Sequence, residues 1–359
     1  CTNFDSFIFD EFHVFAMPQV VAAVTAMLYM HEYYPGQHRF LFASATPSDV
    51  LIDMVQRSGL RSRTISGTYT HSMEPGHRLV LHPATLDLQR LGERQTTEDW
   101  LREHLQDLVA FWREQSPRPK AAVIVNSVVA ARRIARMLEQ ELHSAGISVG
   151  ENTGLTDAER RRISLEKDLV VGTSTIDVGV DFDVNLLIFE ATNAGSFLQR
   201  LGRLGRAKIG KPSFERYDAH ALISGKTPWV YERLVQALRD RGVEEGSEAD
   251  RPTQLGEAVR AAFTVENDFL NYAKRWGVLQ AAHVVCVLEG KRNQGAYSAL
   301  ANDLRRRYEH LFNLSDFGKA QKRYWYVADP KRVTHCRPIL DEVIAFRGSS
   351  PFQIACWDT

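Results

Sequence analysis

Short runs of consecutive apolar residues alternate with longer stretches of helical periodicity through most of this chain, and that alternation limits the fold more than any other feature. A strand that is apolar at every position is buried on both faces. The helices between such strands supply the cover, so the pattern predicts an α/β architecture with mostly parallel sheets. In a first block, Phe7-Ile8-Phe9 and Arg39-Phe40-Leu41-Phe42-Ala43 are predicted strands. Residues 18–31, opened by Pro18, are a predicted helix, and Pro47 starts another. His77 to His82 gives a further strand, and residues 96–115 a helix with Trp100, Leu101, Leu105, Leu108 and Trp112 near one face. Pro117-Arg118-Pro119 breaks the pattern and sets the first predicted boundary.

The alternation then restarts. Ala121 to Val125, Asp168 to Val171 and Asn185 to Phe189 are predicted strands. Residues 128–143 form a predicted helix with Val128, Ala131, Ile134, Ala135, Leu138 and Leu142 inward, and residues 197–208 another, ending near Gly210. Thr156-Asp157-Ala158-Glu159 reads as a capping box at a helix start. From about residue 226 helices dominate, Glu244-Glu245-Gly246-Ser247-Glu248 reads as a solvated loop, and strand-like runs return at 283–288, 324–327 and 342–346. The expected organisation is the C-terminal half of one α/β domain over 1–118, a second α/β domain over 119–225, and a mostly helical α+β accessory region over 226–359.

Composition narrows the function classes. Of 359 residues, 44% are hydrophobic and 25% charged, with 44 Lys and Arg balanced by 44 Asp and Glu. That balance excludes a uniformly basic coat but leaves room for a basic groove. No apolar run approaches the ~20 residues that span a bilayer. The opening Cys1-Thr2-Asn3-Phe4-Asp5 has neither part of a signal peptide, so a cytoplasmic location and no membrane partner are expected. The four cysteines include no CxxC pair, which argues against a zinc cluster or a disulfide framework. The chain opens without Met and runs almost at once into what reads as a central strand, the expectation for a segment of a longer polypeptide.

Asp10-Glu11-Phe12-His13 follows the first apolar run. Adjacent acids at the carboxyl end of a buried strand sit where open α/β sheets bind ligands. ATP hydrolysis needs one carboxylate to hold Mg²⁺ and another to orient or deprotonate the attacking water. Asp10 suits the first role and Glu11 the second, and His13 can relay the nucleotide state. Taken alone, the same residues read as a strand ending in a polar turn. Ser44-Ala45-Thr46 follows the next strand, so the hydroxyls of Ser44 and Thr46 are expected at the same sheet edge, coupling hydrolysis to movement. Taken alone, this too is ordinary, a Ser/Thr cap on the helix starting at Pro47.

The most specific pattern is Gln199-Arg200-Leu201-Gly202-Arg203-Leu204-Gly205-Arg206. On the predicted helix Gln199, Arg203 and Arg206 fall on one face, presenting an amide and two guanidiniums to a polyphosphate. Gly202 and Gly205 there cost about 1 kcal/mol each, a penalty a plain surface helix has no reason to carry. Val170 to Thr175 leads into Asp177-Val178-Gly179-Val180-Asp181. The hydroxyl turn with Thr173 and Ser174 can bind a nucleic-acid phosphate, while Gly179 and Asp181 lie nearer the nucleotide. Asn126-Ser127 and Thr153-Gly154 are either further phosphate contacts or plain loop chemistry.

In this order the motifs resemble those of superfamily 2 helicases. DEFH is similar to motif II and SAT to motif III; Val123-Ile124-Val125-Asn126-Ser127 is similar to motif IV, GTSTIDVGVD to V and QRLGRLGR to VI. The resemblance implies two RecA-like domains with ATP and Mg²⁺ in the cleft between them, Arg203 and Arg206 as arginine fingers, and single-stranded nucleic acid crossing both. DEFH, the stretch GTSTIDVGVDFDVNLLIFE and the late FRGSSPFQIACWD further resemble the CRISPR-associated type I helicase (the Cas-three group), in its type I-D form. That likeness implies a 3′ to 5′ motor on displaced target DNA, recruited by a crRNA-guided Cascade complex whose large subunit carries the nuclease. Two departures stand out. The family's phosphate loop, GxxxxGK[ST], is not found: Gly225-Lys226-Thr227 has His220 where the loop's first glycine belongs and comes after motif VI. No His-Asp dipeptide occurs, so no nuclease is assigned. A different DExH enzyme acting on RNA or in DNA repair, and an ATP-independent nucleic-acid-binding assembly module, are the competing expectations.

Overall fold

The computed structural model describes residues 4–10, 12, 15, 17–44, 49–65, 67, 79–177, 183–206, 214–263, 271–290, 295–329, 331 and 341. The chain divides into two compact units, one of Gly67–Thr264 and one of Cys1–Ser66 with Val265–Thr359.

The unit of Gly67–Thr264 is built on a six-stranded, wholly parallel sheet. Its strands are β3 (Thr85–Arg90), β4 (Ala121–Ile124), β5 (Val149–Asn152), β6 (Leu169–Gly172), β7 (Leu186–Glu190) and β8 (Asp218–Ile223), in spatial order β3-β8-β7-β4-β6-β5. Alternate residues serve opposite faces. Ala122, Ile124, Val170, Leu187 and Phe189 pack with helices Ala194–Leu201 (α8), Pro228–Arg239 (α9) and Gly256–Ala262 (α10). Ala121, Val123, Leu169, Val171, Leu186 and Ile188 pack with Thr97–Glu103 (α3), Leu105–Glu114 (α4) and Val128–Leu142 (α5). Two covered faces are why these strands carry no polar alternation.

The structure corrects several expectations. The break at Pro117-Arg118-Pro119 falls inside this unit: β3 pairs in parallel with β8, Leu86 beside Ala219, so the helices before that break belong to the later sheet. Residue 226 is no boundary either, since α9 and α10 cover the same sheet. His77 to His82 is not a strand in its described part, where only Leu81 bridges, to Arg206. The predicted helix over 96–115 is two helices meeting at His104. The cap at residues 156–159 is Asp157, which accepts from the Arg160 amide at 2.9 Å, while Thr156 turns back to the Thr153 amide at 3.1 Å.

The other unit pairs β1 (Ser6–Phe9) with β2 (Arg39–Phe42) in parallel, in register Phe9 with Phe42. Around them lie α1 (Met17–Tyr33), α2 (Asp49–Arg57) and helices Val278–Gly290, Gly295–Phe312 and Phe317–Ala328. The Tyr308 hydroxyl, fully buried, donates to the Thr25 carbonyl at 3.1 Å, and Arg307 pairs with Glu32 at 2.8 Å. Desolvation pushes the Tyr308 phenol well above its ordinary range, so it stays a neutral donor. The strand-like runs at 283–288 and 324–327 are helical, and 342–346 lies outside the described residues. Helix Val278–Gly290 is buried on nearly all sides, from Val278 to Leu288, and a helix that is apolar all round has no polar spacing to tell it from a strand. Among the described residues no helix is long and apolar enough to cross a membrane.

Candidate functional site

In the first unit, β1 runs straight into the acidic turn. Asp10 is exposed there, and Phe12 turns back into the core against Phe15 and Phe42. The Ala43 amide donates to the Phe9 carbonyl at 2.9 Å and the Phe12 amide to the Ala43 carbonyl at 3.1 Å. These two bonds stitch the segment bearing Asp10 to the segment bearing Ser44, at the carboxyl edge of the strand pair. Glu11, His13 and Thr46 lie outside the described residues, as does Pro47.

In the second unit, the parallel sheet gathers strand ends at one edge. Asn126 and Ser127 follow β4, Thr153 and Gly154 follow β5, and Thr173 and Ser174 follow β6. The structure therefore brings the six expected nucleic-acid contacts to one edge, though not in equal readiness. Thr153 and Thr173 are buried, whereas Gly154 and Ser174 are exposed. The Thr153 hydroxyl shares bonds with Thr156 at 3.1 Å and Glu151 at 3.2 Å, and Ser127 caps α5 at the Ala130 amide, 3.3 Å. Thr175, unremarked in sequence, donates to the Asn152 carbonyl at 2.9 Å and ties the ends of β5 and β6 together. Gly179 and Asp181 lie outside the described residues.

Sheet order reverses direction at β4 and β7, the switch point where such sheets open a crevice. Two residues that sequence reasoning passed over meet there. Glu190 accepts from the Asn126 amide at 2.9 Å and from the Thr97 hydroxyl at 2.5 Å. Arg200, only 3% exposed, donates to the Asn126 side-chain oxygen at 3.0 Å and to the Glu190 carbonyl. The signal for Arg200 was its spacing: it falls on the inward face of α8, with Phe197 and Leu201. Asn126 is thus built into the framework of this edge.

The single basic helix face is not formed. Helix α8, capped by Asn193 at the Ser196 amide, ends at Leu201, so Gln199 is helical but Arg203 and Arg206 are not. Gly202 closes the helix, and Gly205 takes a φ of +70°, the left-handed region that glycine enters without strain. A Cβ at Gly205 also meets the His82 carbonyl oxygen at 3.3 Å. Beyond the helix the chain makes two isolated backbone bridges, Leu204 with Val184 and Arg206 with Leu81. Val184 precedes β7 and Leu81 precedes β3, which puts this loop at the amino edge, opposite the hydroxyl turns. Arg203 is 5% exposed; Arg206 is exposed, its Nε donating to the Gly202 carbonyl at 2.8 Å. Gly225-Lys226-Thr227 is a turn between β8 and α9, and a Cβ at Gly225 overlaps the Gly92 carbonyl at 2.3 Å, a packing reason for that glycine.

Residues 117–209 match the family model of CRISPR-associated nuclease/helicase Cas3, C-terminal. Among curated proteins none matches the chain. Three crystal structures of T. fusca Cas3 share the fold: the ADP form at 14% identity and TM-score 0.51, the ATP form at 13% and 0.51, and Cas3 without a named ligand at 15% and 0.50. Each alignment covers 84% of this chain, which spans 39%, 39% and 38% of those chains. The fold is α/β and RecA-like, with a helical C-terminal part, and residues 117–209 are Cas3-like in sequence.

Proposed function

We propose that the chain is part of an ATP-driven motor that translocates on single-stranded DNA and unwinds target DNA within a CRISPR type I, I-D-like, interference complex. The observation that carries this reading is the separation of two chemistries on one rigid sheet. Hydroxyl-bearing turns with Thr173, Ser174 and Thr153 occupy the carboxyl edge, and the exposed Arg206 guanidinium occupies a pinned loop at the amino edge. Such a unit can hold nucleic acid and supply a phosphate-neutralising arginine at separate places, which coupling of hydrolysis to movement requires. A plain assembly module has no use for the second.

In this reading Arg206 is an arginine finger, Arg203 and Gln199 flank it, and Gly179 and Asp181 lie toward the nucleotide. Asp10 is a hard oxygen donor of the kind Mg²⁺ takes. Among the described residues no three His, Cys, Asp or Glu side chains gather to hold a metal by themselves. Asp10 would hold the ion, which would supply charge neutralisation at the transferring phosphate. Glu11 orients the attacking water, and Ser44 and Thr46 pass the outcome along the chain. Cascade, with a nuclease-bearing large subunit, is the proposed partner, on the strength of the motif resemblance and the Cas3-like segment.

The test is steady-state ATP turnover by the full-length protein with and without single-stranded DNA. Arg206→Ala is expected to cut stimulated turnover by roughly 10³- to 10⁵-fold. Glu11→Gln is expected to abolish turnover with ATP still bound. Turnover near wild type in either variant removes the role assigned to that residue, and stimulation by RNA alone favours an RNA helicase instead.

A further inference from the structure

We propose that Arg251 is a positioning residue that sets the Arg206 loop, an inference that rests on the arginine-finger reading of Arg206. Arg251 opens a π-helical turn, Arg251–Leu255, directly before α10. Its two terminal nitrogens diverge: Nη1 donates to the Leu204 carbonyl at 3.2 Å and Nη2 to the His82 carbonyl at 3.1 Å. Those carbonyls belong to the two segments that meet at the amino edge of the sheet. The same segments are joined by the His82 amide donating to the Gly205 carbonyl at 2.7 Å and by the bridge of Leu81 with Arg206. One guanidinium fork therefore spans both sides of the junction, one residue before Gly205 and two before Arg206.

The energetics favour a positional role over simple stabilisation. Arg251 is largely withdrawn from water, and among the described residues no carboxylate pairs with it. A desolvated cation without a counter-ion is costly. Burial pushes its pKa below the ordinary guanidinium range, which still leaves it charged at neutral pH. Two charge-assisted bonds to carbonyls offset part of that cost, and an apolar residue filling the same space avoids it altogether. What the guanidinium adds is geometry, because its planar fork fixes the separation and direction of two carbonyls at once.

The platform behind it is rigid. The Thr253 hydroxyl bonds to the Asp250 carboxylate at 2.7 Å, and the Gln254 side-chain amide donates to the Arg241 carbonyl at 3.1 Å. Leu255, Ala258 and Val259 pack in the same buried cluster as Leu201 and Leu204. Gly205, flexible by its chemistry, is thus held from one side by His82 and braced from the other by Arg251. Arg251 touches no reacting atom; it acts through the backbone that carries Arg206.

The experiment measures single-strand-stimulated ATP turnover by the full-length protein for wild type, Arg251→Met, Arg251→Lys, Arg206→Ala and the double variant Arg206→Ala/Arg251→Met. Arg251→Met is expected to lower kcat by about 10- to 100-fold, the cost of a small misplacement at a reacting centre, with KM for ATP and affinity for the single strand within about twofold. Arg251→Lys, a point charge unable to fix both carbonyls, is expected to recover only part of the loss. In the Arg206→Ala background, adding Arg251→Met is expected to change kcat by less than about twofold, since the group it positions is gone. Wild-type kcat in Arg251→Met overturns the proposal, as does an equal fold-loss in both backgrounds, which marks a general structural role. If Arg251→Met does not fold by circular dichroism, Arg251→Lys decides: full activity overturns the proposal, and a loss of kcat that disappears in the Arg206→Ala background supports it. Normal turnover in Arg206→Ala alone is a different result, removing the arginine-finger reading and this inference with it.

Discussion

Both units make parallel strands from apolar runs of the same kind, yet they bury them differently. In the six-stranded sheet every residue of β4 and β6 is buried, because helices cover both faces. In the two-stranded sheet Phe9 and Phe42 pack into the core, while Ile8 and Leu41, paired in register on the opposite face, are 69% and 56% exposed. An all-apolar run therefore does not by itself ensure burial on two faces. Burial requires that some other element cover the second face, and among the described residues none covers this one. The lesson is that Ile8 and Ile188, chemically the same residue in the same kind of strand, are worth very different amounts to stability.

That contrast can be broken by substitution. Ile188→Ala, in the middle of β7, is expected to cost about 4 kcal/mol, lost transfer energy plus the cavity left in a close-packed core. A urea unfolding series measures it, and a loss below ~1 kcal/mol contradicts the doubly covered sheet. The second test concerns the bonds at the amino edge of the same sheet. Asp168 accepts from Arg118 at 2.7 Å and from the Ser148 hydroxyl at 2.7 Å, and these donors, Arg118 foremost, hold its carboxyl far below the usual carboxylate range. Because the folded pKa is depressed, the stabilisation is present above the unfolded value of roughly 4 and is lost as pH falls below it. Asp168→Asn is expected to cost about 2 kcal/mol at pH 7, with the gap to wild type narrowing below about pH 4. Unfolding midpoints compared across pH show this, and a gap that stays constant into acid contradicts it. The smallest effect belongs to the bare face: Ile8→Asn and Leu41→Asn are expected to change the stability of this 359-residue chain by no more than ~0.5 kcal/mol. A loss of ~2 kcal/mol in a longer polypeptide carrying this chain shows that the face is covered there.

The strands at the heart of the larger sheet were legible because each is a closed apolar run, and α5 because its inward residues recur at helical spacing. Strand β3 was passed over for the opposite reason. Thr85-Leu86-Asp87-Leu88-Gln89-Arg90 lies at the edge of its sheet and alternates, with Leu86 and Leu88 packed toward the core. The strand-like run in Val278–Gly290 misled because Val284, Val285, Cys286, Val287 and Leu288 are apolar in sequence order, and only packing against α1 and its neighbours decides for a helix. At the candidate site the Thr153 turn was found only from the helix after it, β5 having gone unread, whereas the Asp10, Ser44, Asn126 and Thr173 turns were readable from strand–turn order alone. Arg200, Glu190 and Arg251 were not, since each acquires its meaning from a partner far away along the chain.

The two glycines of QRLGRLGR hold the whole distinction. Their presence in an arginine-rich segment was a sequence fact; of the two, only Gly205 has another segment's backbone against it, the His82 carbonyl of the same unit, while Gly202 meets its own helix. What they do there was settled by tertiary structure: Gly202 ends the helix, and Gly205 turns the chain at positive φ so that its carbonyl meets His82. Sequence by itself determined the α/β class, because strand and helix periodicities are set by neighbours within a turn or two. Which strand joins which sheet, which arginine is buried, and which faces solvent were decided by pairings between segments far apart along the chain, Leu86 with Ala219 and Leu81 with Arg206 among them, and local periodicity carries no record of those.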